Sequence, residues 1–230
     1  MSKLCYFCGK PASSEEHVPP KCIFPEKKDL PEGVDYRKNL ITVPSCDQHN
    51  TKKSRDDEYL LLILVHGYFN NIAGRTHFNK KIIRAITRRP AILAALYKNQ
   101  HSVTVDTTPT IAVDIDRIRF NKILEQLCQG LFFKKYAYTW PEEIEIHCPI
   151  LLSMNDPDSD KVNTLVNNLS KAITKKLDQN DKNGENQDIF WYQMLVDNTK
   201  KSMLCRMMFY GGFEILAISN PLLRSRRGIV

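Results

Sequence analysis

Two pairs of metal-spaced side chains near the N-terminus constrain this chain more than any other feature. Cys5 and Cys8 stand three apart, and so do Cys46 and His49. Each pair can present two ligands to one tetrahedral ion at roughly 2.0–2.3 Å, so the fold must carry residues 5–8 to residues 46–49 and close the chain between them into a loop. A structural Zn²⁺ held by Cys5, Cys8, Cys46 and His49 is the expected occupant. The other cysteines, Cys22, Cys128, Cys148 and Cys205, read as ordinary buried residues. Seven cysteines with a metal-spaced subset point to a reducing compartment rather than a disulfide framework, and cytoplasm is the expectation. The first cysteine comes at residue 5, so no signal peptide is expected ahead of it. No apolar run reaches membrane-spanning length, so no membrane partner is expected.

The organisation reads as α+β in three parts: residues 1–58, 59–101 and 102–230. Residues 1–53 are loop-rich, as expected where a metal replaces part of a core. A strand should end near His17-Val18, because the residue before Pro19 is pushed to extended geometry. Residues 23–38 read as a long surface loop, and residues 39–43 alternate as a second strand that Pro44 stops. A short helix should begin near Cys46, giving the order strand, loop, strand, helix. A longer helix starts at Ser54, which can cap it, with Asp56, Asp57 and Glu58 in the positive first turn. It runs to Phe69 and ends at Asn70-Asn71 with Gly74. A second helix follows from about Asn79 to Arg88 or Arg89, and Pro90 starts a third, through Tyr97. In residues 102–230, strands are expected at 102–106, 111–115, 143–150, 190–196, 202–210 and 213–219. Helical spacing covers Phe120 to Leu131 and Val162 to Leu177. Residues 178–188 contain no apolar side chain and read as a mobile loop.

Charge is unevenly placed. Residues 1–58 carry ten basic and ten acidic residues, and residues 102–230 carry sixteen of each. The net charge of +7 therefore falls within residues 59–101, which hold seven Lys and Arg and no acid. So localised a surplus suggests a polyanionic partner. Helical spacing puts Lys80, Arg84 and Arg88 on one face, the expected contact with nucleic-acid phosphates. The Arg224-Ser225-Arg226-Arg227 tail is a further candidate.

Around the metal-spaced pairs lie Glu16-His17-Val18-Pro19-Pro20, Asn39-Leu40 and Cys46-Asp47-Gln48-His49-Asn50-Thr51-Lys52-Lys53. This pattern, over roughly the first quarter of the chain, resembles the HNH endonucleases, the ββα-metal (His-Me finger) family, in the branch with a zinc-knuckle frame. The resemblance implies that His17 is the general base on water and that Glu16 and Asn50 bind a divalent cation. It also implies that Asn39 orients His17 and that Lys53 closes the motif near the nucleic acid. Two positions depart from the commoner pattern: Glu16 stands where Asp is usual, and the closing ligand is Asn50 rather than His. Hard oxygen ligands suit Mg²⁺ or Mn²⁺ retained with several waters. Neutral imidazole near pH 7 suits the base. Glu15 competes with Glu16 for the ligand role, and Asp56 and Asp57 can approach the site.

The expected function is therefore metal-dependent hydrolysis of nucleic-acid phosphodiesters, DNA first. Residues 102–230 would read sequence, bind a partner protein or a second copy, or sense a ligand; one such site cuts one strand, so double-strand cutting would need a dimer or a second event. The rival is a non-catalytic zinc module that binds nucleic acid or protein. A small-molecule enzyme within residues 102–230 lacks any convergent motif. Trp140 and Trp191 read as core.

Overall fold

In the computed structural model, which describes residues 3–50, 53–88, 91, 94, 97–105, 107–151, 153 and 157–221, α and β elements are mixed throughout. Strands β1 (Ser14–His17) and β2 (Thr42–Ser45) form an antiparallel pair in which Glu16 lies opposite Val43 and His17 opposite Thr42. Helix α1 (Asp47–Asn50) follows at once, so the order strand, loop, strand, helix is observed. β2 begins later than the alternation at 39–43 suggests. Asn39 adopts a left-handed backbone, φ 50°, a conformation that asparagine tolerates better than most residues. Pro44, expected to stop the strand, lies within it. Its carbonyl accepts from the Tyr6 N–H at 2.9 Å. The N–H that proline lacks would have pointed to the same outer edge, away from β1, so the ladder loses nothing.

Helix α2 (Ser54–Val65) has Lys53, not Ser54, at its N-cap. It stops short of Phe69: the Asn70 side chain donates to the Leu64 carbonyl at 2.8 Å and closes the end. Asn71 then caps α3 (Ile72–His77), its side chain accepting from the Gly74 N–H. A π-helical turn, Phe78–Ile82, leads directly into α4 (Ile83–Arg88). Gly74, expected as a stop, is inside a helix, and its reason is packing. A Cβ there would sit 2.8 Å from the Tyr210 Cβ. The third helix expected after Pro90 and the tail at 224–227 fall outside the described residues, apart from helical Ala91 and Ala94.

A hairpin of β3 (Gln100–Val105) and β4 (Thr108–Val113) precedes the long helix α5 (Arg117–Tyr136). Asp116 caps α5 by accepting from the Arg119 N–H. Its face of Phe120, Ile123, Leu124, Leu127 and Leu131 is buried, at the spacing of one helical stripe. Then come β5 (Glu145–His147), α6 (Ser159–Leu177), β6 (Phe190–Asp197), β7 (Ser202–Phe209) and β8 (Phe213–Ser219). The four strands form an antiparallel sheet in the order β5-β8-β7-β6. β7 alternates strictly: Met203, Cys205, Met207 and Phe209 enter the main core with α5, while Leu204 turns to the other face. That face is covered by Ile173 and Leu177 of α6, beside Leu216 and Ile218. Residues 178–188, expected to be mobile, are tied at several points. Asn183 exchanges backbone hydrogen bonds with Tyr192, and the Asn186 side chain donates to the Lys38 carbonyl. Asparagine amides here do the work that apolar burial does elsewhere.

One core cluster contains Cys5, Tyr6, Val18 and Val43 together with Leu60, Phe120, Leu131, Phe209 and Ala217. Val18 packs so closely on α5 that a Cβ at Gly130 would come within 2.8 Å of it. The changes of composition near residues 58 and 101 thus do not interrupt the core.

Candidate metal centre and adjoining strand

The N-terminal turn brings Cys5 and Cys8 to the start of α1, where Cys46 and His49 wait. The Cys5 N–H donates to the Lys10 carbonyl at 2.7 Å, and the His49 and Asn50 N–H groups both donate to the Cys46 carbonyl. The four ligand atoms all lie within 4.8 Å of one another. Cys8 Sγ is 3.8 Å from Cys46 Sγ, and His49 Nδ1 is 3.3 Å from Cys46 Sγ and 3.7 Å from Cys5 Sγ. A tetrahedron with arms of roughly 2.0–2.3 Å has edges of about 3.3–3.8 Å, so these spacings suit zinc. The Phe7 ring packs 4.8 Å from the His49 ring and shields it. This Cys₃His cluster can hold a metal such as zinc.

The electrostatics of the sulfurs agree. Burial alone would push the Cys5 thiol up, but the backbone N–H groups of Cys8, Phe7 and Cys46 and the His49 ring hold it down at about 6. At Cys8 the Lys10 N–H pulls the pKa down, yet desolvation and the Cys5 and Cys46 sulfurs leave it raised. Three sulfurs this close cannot all carry charge without a cation among them.

β1 adjoins this centre. Asn50 donates from Nδ2 to Ser14 Oγ at 2.8 Å and to the Glu15 carbonyl at 3.4 Å, which braces α1 against β1. Glu16 and His17, adjacent on β1, project to opposite faces. Glu16 is buried and paired through Oε1 with Lys53, with the Tyr6 hydroxyl donating to the same oxygen at 3.4 Å. Its Oε2 is buried without a hydrogen-bond partner among the described residues. The open oxygen of a buried carboxylate fits a cation ligand; the pairing of its twin with Lys53 is what the sequence does not announce. Glu15, by contrast, is exposed and paired with Lys3, and Asp56 is paired with Arg119. Asp57 stays close to Glu16: burial raises its pKa to about 6, Lys53 opposing and Glu16 adding to the rise.

His17 is half-buried, and burial first, then Lys21 and Arg37, hold its pKa below the usual value against the pull of Glu16. Asn39 is exposed and lines a shallow groove with Val18, Pro19, Leu40 and Ile41; among the described residues no hydrogen bond joins it to His17. Lys53, expected on the nucleic-acid side, is 7 % exposed and belongs to the ion pair with Glu16. Arg84 is clamped to Asp29 through both terminal nitrogens, at 2.7 and 2.8 Å. Lys81 turns to the Cys22 carbonyl and Glu26. Lys80 and Arg88 are exposed. Sequence reasoning has Asp57 as a helix-start charge that can approach the site, and misses Arg37 altogether. Arg37 carries no local signal, since long-range packing places it. No family model, curated protein or solved structure matches this chain.

Proposed function

We propose that the chain is a metal-dependent endonuclease of the HNH type, framed by a structural Zn²⁺ on Cys5, Cys8, Cys46 and His49. The observation that carries this reading is the brace from Asn50 to Ser14 and Glu15. It sets the closing residue of the motif against the strand that bears Glu16 and His17, in the strand–strand–helix order that the resemblance implies. His17, kept neutral by burial and by Lys21 and Arg37, accepts a proton from the attacking water. A divalent cation on Glu16 and Asn50, Mg²⁺ or Mn²⁺, would neutralise charge on the scissile phosphate and the leaving oxygen. Tyr6 holds the Glu16 carboxylate from the protein side, and Lys53 pairs with it in the absence of the cation. Lys80 and Arg88 offer exposed cations to phosphates, and DNA is the proposed substrate.

The test is a plasmid-nicking assay with Mg²⁺ or Mn²⁺, comparing wild type with His17→Ala at matched zinc content. Cleavage should fall by roughly 10²–10⁴-fold, the effect of losing a positioned base. Equal activity of the two proteins would overturn the reading.

One observation favours a second reading, a non-catalytic zinc module that binds nucleic acid or protein. The Glu16 carboxylate is engaged by Lys53 and the Asn50 amide by β1, as in a purely structural network. Absence of cleavage by wild type, with nucleic-acid binding retained, would select it.

A further inference from the structure

We propose that Asp57 is a positioning residue, the acceptor to which the Lys53 ammonium moves when Glu16 takes up a divalent cation. The proposal rests on the nuclease reading of Glu16 given above.

Glu16 and Lys53 have side chains only 5 % and 7 % exposed, and they are in direct contact. Lys53 engages Oε1 and leaves Oε2 without a partner; on the neighbouring helix, Oδ1 of Asp57 is likewise buried and unpartnered. Lys53 caps α2 and Asp57 lies four residues on, in its first turn, so the two share one helix face. Two carboxylates therefore share the neighbourhood of one ammonium, Glu16 buried and Asp57 half-buried, a balance of one negative charge too many. Such an excess is costly to bury, and a further cation would offset it.

A cation arriving at Glu16 would meet the ammonium already there, and the two positive charges repel. If Lys53 simply withdrew, a buried ammonium would lose its counter-charge. A shift along the helix face to Asp57 avoids both costs. Glu16 is freed with both oxygens, the ammonium keeps a carboxylate, and the unpartnered Asp57 oxygen gains a donor. No covalent bond changes and no proton moves. Asp57 thereby acts on the cation only through Lys53, which separates this role from direct ligation.

The experiment is a Mn²⁺ titration of the zinc-loaded full chain, with free Mn²⁺ read from its electron paramagnetic resonance signal. Wild type should bind Mn²⁺ at a site that Glu16→Gln removes. Asp57→Asn should weaken that site by about 10-fold or more, the usual cost of losing an outer partner of a metal ligand. Lys53→Met/Asp57→Asn should restore at least wild-type affinity, because no ammonium remains to be rehoused. Unchanged affinity in Asp57→Asn, or a double variant no better than Asp57→Asn, overturns the proposal. Should Asp57→Asn fail to fold, the comparison is Lys53→Met against the double variant. The two should agree within about threefold, and a further 10-fold loss in the double would make Asp57 a direct ligand instead. If wild type binds no Mn²⁺, or Glu16→Gln binds it equally well, the cation role of Glu16 falls and this inference with it. Cleavage that survives such a result would leave the nuclease reading standing alone.

Discussion

His77 shows how one buried side chain sets a pH limit on this molecule. Tyr210 donates its hydroxyl proton to the Ile23 carbonyl at 2.6 Å, so it can only accept from His77 Nδ1, 3.0 Å away. His77 is fully buried, and burial, then Lys81 and Arg37, lower its pKa to about 4 against the opposing pull of Asp29 and Glu26. The unfolded chain therefore takes up a proton below pH 6.5 that the folded chain refuses until about pH 4. The contribution of His77 is full above 6.5 and is lost as pH falls through that window, with a slope of at most about 1.4 kcal/mol per pH unit. Urea titrations between pH 4.5 and 7 should show this slope diminished in His77→Gln. At the metal centre, Cys46→Ser should lose zinc, measured by elemental analysis, and much of the fold with it, because a bound ion would lock together the turns that carry its ligands. The ligand quartet was legible in the sequence because both halves are local spacings. The Glu16–Lys53 pair was not, since it depends on how α2 lies against β1.

At the scale of elements, periodic segments were read well and their ends poorly. β6, β7, β8 and the apolar stripe of α5 follow from alternation and helical spacing alone. α2 is shorter than its apolar run because Asn70 turns back on the Leu64 carbonyl, and α3 is not foreseen because Gly74, which reads as a stop, packs against distant Tyr210. Gly74→Val should therefore cost roughly 1–3 kcal/mol in urea unfolding, the range of overpacking at a tight contact. The acid-free stretch also looked more basic than it is. Glu26 and Asp29, on a loop some fifty residues earlier in the chain, take up Lys81 and Arg84. Changing Lys80 and Arg88 to Gln should flatten the salt dependence of DNA binding by about 2 units if each meets a phosphate. Arg84→Gln should lower stability instead, because it strands the buried Asp29 carboxylate.

For the whole molecule, the shared core matters more than the boundaries in composition. Tyr6 and Val18 pack on α5 beside Gly130, and Thr139 donates to the Tyr6 carbonyl at 2.8 Å. A fragment of residues 1–58 loaded with zinc should lack a fixed fold, seen as poor amide dispersion in its ¹H–¹⁵N spectrum. A well-dispersed spectrum would show that the metal alone suffices. The same packing sets an order of events during synthesis. The first strand to leave the ribosome carries His17, yet the helix on which the adjoining Val18 packs begins at Arg117. The sheet beneath that helix closes only with Phe213–Ser219. Contacts so distant along the chain form late. A nascent chain is therefore expected to lack a settled N-terminal site until residues 213–219 have emerged.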